Sequence, residues 1–205
     1  MAIFIVYHDI RGERKYHINT SSPVELRDLT TGFNNIENSS RYEAVNYFVL
    51  EAMLKRTRQL TPATIFTDLG CGKGRAMVVA AYSGFTQIIG VDFAKEVCEM
   101  AVENMQVTSQ YVSGMSFRVV CSNVLDYEIG PDESVFFMFN PFAEETIRKF
   151  LRKIEYSIRM NPRSIYFLYA SPKFIETFFD FDYEPVYRIR KLKYLEGVIL
   201  KKDPR

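Results

Sequence analysis

Histidine and cysteine are scarce in this chain, and their scarcity removes several kinds of chemistry. Only His8 and His17 occur among 205 residues, so a histidine-built metal site is not expected. Cys71, Cys98 and Cys121 are odd in number, widely separated and without a C-x-x-C pair, which argues against a disulfide framework or structural zinc. No apolar run approaches the roughly 20 residues of a membrane-spanning helix. The opening Met1-Ala2-Ile3-Phe4-Ile5-Val6-Tyr7 has no basic start and is interrupted by His8 and Asp9, so it fails as a secretory signal. A cytoplasmic protein with neither metal nor membrane partner is expected. Neither charge sign dominates: 26 Lys and Arg against 25 Asp and Glu leave a formal net charge of +1, which disfavours a generic nucleic-acid binder. Repeats and low-complexity tracts are also missing. The length suits one α/β domain rather than two.

One local pattern is conspicuous by contrast. Ile65-Phe66-Thr67-Asp68 is a β-branched and aromatic run closing on an acid, and Gly70, Gly72 and Gly74 follow at alternate positions. Glycine lets the backbone approach a ligand closely, and a helix N-terminus behind it offers free N–H groups, so the segment reads as a nucleotide-binding turn. Its spacing is not that of a dinucleotide fold, which needs Gly-x-Gly-x-x-Gly and would put glycine where Arg75 stands. Asp68 discriminates further, because it would repel a pyrophosphate and attract an ammonium group carried near a ribose. S-adenosylmethionine is such a ligand. Asp68-Leu69-Gly70-Cys71-Gly72-Lys73-Gly74 resembles the first motif, acid-x-Gly-x-Gly-x-Gly, of the class I S-adenosylmethionine-dependent methyltransferases. The plainer alternative is a structural strand-to-helix turn. For Cys71, a small residue fitting between glycines competes with thiolate chemistry.

From Thr64 onward apolar strands alternate with amphipathic helical patterns, which predicts a parallel sheet wrapped by helices. Strands are predicted at 64–69, 87–91, 116–121, 134–139 and 164–170. Helices are predicted from about Gly74 to Ser83, with Gly84 as the stop, from Ala94 to about Met105, and from Glu144 to Ile158. The segments 184–190 and 195–201 predict an antiparallel hairpin. The fold class expected is α/β: a Rossmann-like class I methyltransferase fold with a seven-stranded, mostly parallel sheet ending in that hairpin, and helices on both faces. Residues 34–40 read as a loop before a helix beginning near Arg41. Residues 1–60 would form an extension, lid and helix packed on the core, and 61–205 the cofactor-binding domain, compact as one unit.

Ligands in such folds sit beyond the carboxyl ends of the strands, so the residues there are the site residues to weigh. The second strand ends in Asp92-Phe93, where the acid would accept ribose hydroxyls and the ring would pack on adenine; the alternatives are a helix N-cap and a core aromatic. The third ends in Cys121-Ser122-Asn123-Val124. The resembled family usually has an acid on the adenine amino group there, followed by a backbone N–H on the ring. Asn123 departs from that, although its amide oxygen can still accept, and Val124 would supply the N–H. Asp126 is a second acid, more naturally a surface turn. The fourth ends in Asn140-Pro141-Phe142, where amino-group methyltransferases carry a polar residue, two prolines and an aromatic; the second proline is absent, and an ordinary turn explains the dipeptide equally well. On the functional reading Asn140 is the catalytic residue, touching cofactor and acceptor alike, and Pro141 and Phe142 bind the acceptor.

A closer resemblance covers most of the chain. Lys15-Tyr16-His17-Ile18-Asn19-Thr20-Ser21, Ser40-Arg41-Tyr42-Glu43-Ala44-Val45, the glycine loop, Phe139-Asn140-Pro141-Phe142 and Tyr169-Ala170-Ser171-Pro172 together resemble a family of uncharacterised bacterial class I methyltransferases. Asn19, Ala44 and Ser171 depart from its acid, proline and asparagine. Residues 88–104 are locally similar to lysine methyltransferases of the Dot1 type. The resemblance implies that Tyr42 and its neighbours fold over the cofactor and touch the acceptor; Val45, Val49 and Met53 read as a buried helical stripe. The function expected is methyl transfer from S-adenosylmethionine, leaving S-adenosylhomocysteine, to a small molecule or protein side chain as the unidentified acceptor. The alternatives are a nucleic-acid amino-group methyltransferase, motivated by the basic tail Arg188, Arg190, Lys191, Lys193, Lys201 and Lys202, and a non-catalytic cofactor-binding scaffold. Nothing in the sequence sets the oligomeric state.

Overall fold

Each strand expected from residue 64 onward is present. The computed structural model describes residues 2–21, 44–191 and 195–204, with side chains from Tyr7 onward. β1 (Ile65–Leu69), β2 (Gln87–Asp92), β3 (Ser116–Cys121), β4 (Val135–Met138) and β5 (Ile165–Ala170) pair in parallel. β6 (Glu184–Lys191) and β7 (Leu195–Lys202) form the hairpin, with β7 antiparallel to β5. The seven strands lie in the order β3-β2-β1-β4-β5-β7-β6, the mostly parallel sheet with a terminal hairpin that the alternation predicts. The connections run outward to opposite sides of β1, so the loops leaving β1 and β4 part and open a crevice at their carboxyl ends.

The period-two alternation of the strands divides the core. Phe66, Ile88, Phe137 and Leu168 face α2 (Tyr47–Leu60), α3 (Arg75–Tyr82) and α4 (Lys95–Ser109), while Ile89, Phe136, Phe167 and Leu200 face α5 (Glu144–Met160) and α6 (Ile175–Phe179). α5 buries Ile147, Phe150, Leu151, Ile154 and Ile158 at helical spacing, as expected. Each such side chain taken from water contributes about 1.5–3 kcal/mol.

Three local features differ from the sequence expectation. Residues 44–46 are not helical, and α2 begins at Tyr47 because the Asn46 side chain accepts from Phe48 N at 3.0 Å and caps it there; Arg41 lies outside the described residues. The extension carries a helix that periodicity did not reveal, α1 (Ala2–Tyr16), with Gly12 one turn before its C-terminal end. A Cβ on Gly12 would stand 2.3 Å from the Tyr47 ring, so this glycine is what allows α1 and α2 to pack. A short helix, α6, also follows β5. No helix crosses between β3 and β4 among the described residues; the connecting loop is fixed instead by buried Glu133, which accepts from Thr67 Oγ1 at 2.7 Å, Tyr127 OH at 2.6 Å and Gly130 N at 2.9 Å.

Candidate functional site

At the carboxyl ends of β1, β2 and β4 lies a cavity of about 400 Å³. Its floor is the turn from β1 into α3. Gly70 and Cys71 donate their N–H groups to Val91 O at 2.8 and 3.0 Å, which pins the turn to β2. Gly70 has φ +77°, and a Cβ there would meet Pro141 Cβ at 2.5 Å, so the glycine turn and the β4 turn touch only because this residue lacks a side chain. Gly72, also at positive φ, lines the cavity. Gly74 does not. It is the N-cap of α3 at φ +79°, packed against Ala101 of α4.

Two carboxylates face this floor. Asp68 is buried, lines the cavity and receives no hydrogen bond from a described residue; burial, then the nearby Asp92 charge, pushes its carboxyl well above the usual carboxylate range. Asp92 is also raised by burial, partly offset by backbone donors: Gly72 N reaches Oδ2 at 2.9 Å and Ala94 N reaches Oδ1 at 3.1 Å. The Ala94 bond fixes the start of α4, so the capping alternative and a ligand role coexist, because each oxygen keeps a second lone pair. Cys71 is buried between the glycines, and burial beside both carboxylates pushes its thiol well up, which disfavours a thiolate. Phe93, Val97, Ser122 and Val124 form the wall beyond Asp92, with Phe93 exposed at its rim. Asn123 is absent from that wall: its Oδ1 accepts from Leu125 N at 2.9 Å and closes its own turn.

The opposite side is built at the ends of β4 and β5. Asn140 and Ser171 both adopt left-handed φ, +45° and +47°, a conformation asparagine tolerates better than most residues. Asn140 Nδ2 donates to Ser171 O, and Lys173 N approaches Asn140 Oδ1 at 3.4 Å, so this amide ties the two turns together. Asn140, Pro141, Phe142, Ser171 and Lys173 line this part of the cavity, with Phe137 and Phe139 behind them. Tyr42 lies outside the described residues. Ser171 entered the sequence reading only as part of a motif and Lys173 not at all; β5 ending next to β4 makes both wall residues.

Arg75 and Val45 are the wall residues that local sequence patterns did not expose. Arg75 is the first residue of α3, its side chain is 3 % exposed, and all five of its N–H donors are engaged by segment 2–21 and by Val45 O. The one sequence signal was the pair Asp9 and Glu13, four residues apart and so on one face of a helix.

The cavity has the features that S-adenosylmethionine needs. It offers a buried unpaired carboxylate for a cation, a second carboxylate with lone pairs for a diol, and a turn where a Cβ would intrude. Among the described residues no helix is long and apolar enough to cross a membrane, and no group of three or more His, Cys, Asp or Glu is placed to hold a metal.

Comparison with known proteins agrees with this geometry. The family described as histone methylation protein DOT1 matches residues 23–125, a span containing the glycine loop, Asp92 and Asn123. A candidate RNA methyltransferase of Pyrococcus horikoshii superposes with TM-score 0.61 at 16% identity, covering 97% of this chain and 96% of its own. Ribosomal protein L11 methylase of Lactobacillus delbrueckii subsp. bulgaricus superposes with TM-score 0.55 at 13% identity over 76% and 78%. Magnesium protoporphyrin IX methyltransferase of Synechocystis PCC 6803, solved with S-adenosylmethionine bound, gives 0.54 at 13% over 80% and 87%. These structures share the fold. No curated protein matches the chain in sequence.

Proposed function

We propose that this chain, which belongs to the histone methylation protein DOT1 family, is an S-adenosylmethionine-dependent methyltransferase acting on the amino group of a protein side chain or small molecule. The observation that carries the proposal is Asp68, a buried carboxylate lining the cavity with no donor to it among the described residues, twenty-odd residues before a second, half-buried acid on the neighbouring strand. When bound, S-adenosylmethionine supplies a methyl group made electrophilic by its sulfonium, and S-adenosylhomocysteine remains after transfer.

The chain's own residues would do the following. Asp68 holds negative charge against the cationic end of the cofactor. Asp92 accepts from the ribose hydroxyls through the lone pairs that Gly72 N and Ala94 N leave open. Phe93, Val97 and Val124 enclose the adenine with apolar surface, and the adenine edge is read by backbone near Ser122 and Val124 rather than by the Asn123 side chain. Gly70, with no room for a Cβ against Pro141, forms the floor with Cys71 and Gly72. Asn140, held by Ser171 O, orients the acceptor nitrogen, with Pro141 and Phe142 flanking it. Acceleration then comes from proximity and alignment.

Titration calorimetry with S-adenosylhomocysteine tests the cofactor site: micromolar binding is expected in the wild type and none in Asp92→Ala. Unchanged affinity in that variant would remove Asp92 from the site. Cell extract incubated with methyl-labelled S-adenosylmethionine tests the acceptor, label being expected in protein or small molecules.

A nucleic-acid acceptor is the second reading, favoured by Arg188, Arg190 and Lys191, which are exposed on the edge strand β6. It loses part of its motivation because Lys202 is buried against Glu155 at 2.8 Å and Lys201 pairs with Asp203; Lys193 lies outside the described residues. Label in nucleic acid, with binding that weakens as salt rises, would select it.

A further inference from the structure

Arg75 stands where the glycine turn, the N-terminal segment and the cavity meet. Nε donates to Thr20 Oγ1 at 2.7 Å; Nη1 donates to Asp9 Oδ1 at 2.9 Å and to Val45 O at 2.8 Å; Nη2 donates to Glu13 Oε1 at 3.0 Å and to Ser21 Oγ at 2.7 Å. A guanidinium has five donors, so none is left for a ligand. Its plane lies over the Tyr47 ring, 4.3 Å from the centroid. Glu13 is itself a hub, accepting also from Thr20 N and Oγ1, Ser21 Oγ and Tyr47 OH.

This arrangement has two consequences. Arg75 and Gly72 both line the cavity, and Val45, whose backbone Arg75 grips, lines it too, so one side chain ties the glycine turn to that lining residue. The same side chain pairs with the α1 carboxylates Asp9 and Glu13, neither of which is among the described residues that line the cavity. The cavity lining on this side is thus tied to α1, which Arg75 holds together with the Lys15–Glu51 pair at 2.7 Å and the close packing of Gly12 on Tyr47.

We infer that Arg75 is a positioning residue that couples docking of residues 2–21 to cofactor binding by fixing Val45 against the glycine turn. The inference rests on the cavity being the S-adenosylmethionine site. Lysine keeps the charge but gathers three N–H groups on one nitrogen, so it cannot reproduce the planar fork that reaches five acceptors on Asp9, Glu13, Thr20, Ser21 and Val45. By linkage, whatever factor docking adds to affinity, bound ligand must add to docking.

The test is calorimetry with S-adenosylhomocysteine on the full-length wild type, Arg75→Lys, Glu13→Gln and the double variant, with amide hydrogen exchange over residues 9–16 at zero and saturating ligand. Arg75→Lys should bind roughly tenfold more weakly, within the usual range of such couplings. Ligand should slow exchange in α1 of the wild type and leave it unchanged in Arg75→Lys, an effect that a merely structural role would not produce. Adding Glu13→Gln to Arg75→Lys should cost no further affinity. Thermal denaturation of each unliganded variant checks folding; should Arg75→Lys not fold, Glu13→Gln, which weakens the same cluster from α1, carries the test by its lowered affinity and reduced protection. Unchanged affinity in both single variants, additive effects, or wild-type α1 exchange that ignores bound ligand would each overturn the inference. A wild type that does not bind S-adenosylhomocysteine overturns the cofactor site itself, a result distinguishable from all of these.

Discussion

At Asp68 a carboxylate is held in apolar surroundings within the field of Asp92, and its pH behaviour follows from that placement. A group whose carboxyl is raised on folding binds more protons folded than unfolded, so its contribution to stability is lost as pH climbs from the ordinary carboxylate range through the raised value. A bound cation favours the ionised form and moves Asp68 back down. Binding of S-adenosylmethionine should therefore expel a proton in that window, and affinity should rise with pH across it. Calorimetry in two buffers of different ionisation enthalpy measures the proton directly, and Asp68→Asn should abolish its release; undiminished release in that variant would assign the proton to Asp92. At this scale much was legible, because an acid before alternate glycines has a local meaning. The reason for Gly70 was not legible, since it is Pro141, distant in sequence, that forbids a side chain there.

Among the elements, the loop between β3 and β4 depends on one buried acid where a crossover helix would otherwise cover the sheet. Glu133→Ala leaves Thr67 Oγ1, Tyr127 OH and Gly130 N without their acceptor and should cost about 3 kcal/mol. Urea denaturation measures it, and a loss below about 1 kcal/mol would mean that packing of Val124 and Tyr127 holds the loop without Glu133. The exposed Arg118, 3.5 Å from Glu133, adds little to that figure. α5 was legible because its apolar stripe repeats at helical period around a charged face. α1 was not, because Gly12 and a run of charges hide its periodicity, and its partners Tyr47 and Arg75 come from other elements.

For the whole molecule, ligand binding and stability are one measurement. S-adenosylhomocysteine at 100 times its Kd adds about 2.7 kcal/mol, which for a chain of 205 residues raises the midpoint of thermal unfolding by roughly 5–10 °C. A nicotinamide dinucleotide should give no shift, and a shift of similar size would restore the dinucleotide reading that Arg75 and Asp68 disfavour. By itself the sequence determined the α/β class, the strand sequence with its terminal hairpin and the glycine turn, because these rest on period, spacing and local backbone freedom. Only the tertiary structure decided that Asn123 turns away from the cavity, that Gly74 serves helix packing, and that Arg75 reaches across to Val45 and α1. Those facts depend on which distant segments the sheet order and the N-terminal docking bring together, and a linear pattern carries no information about such neighbours.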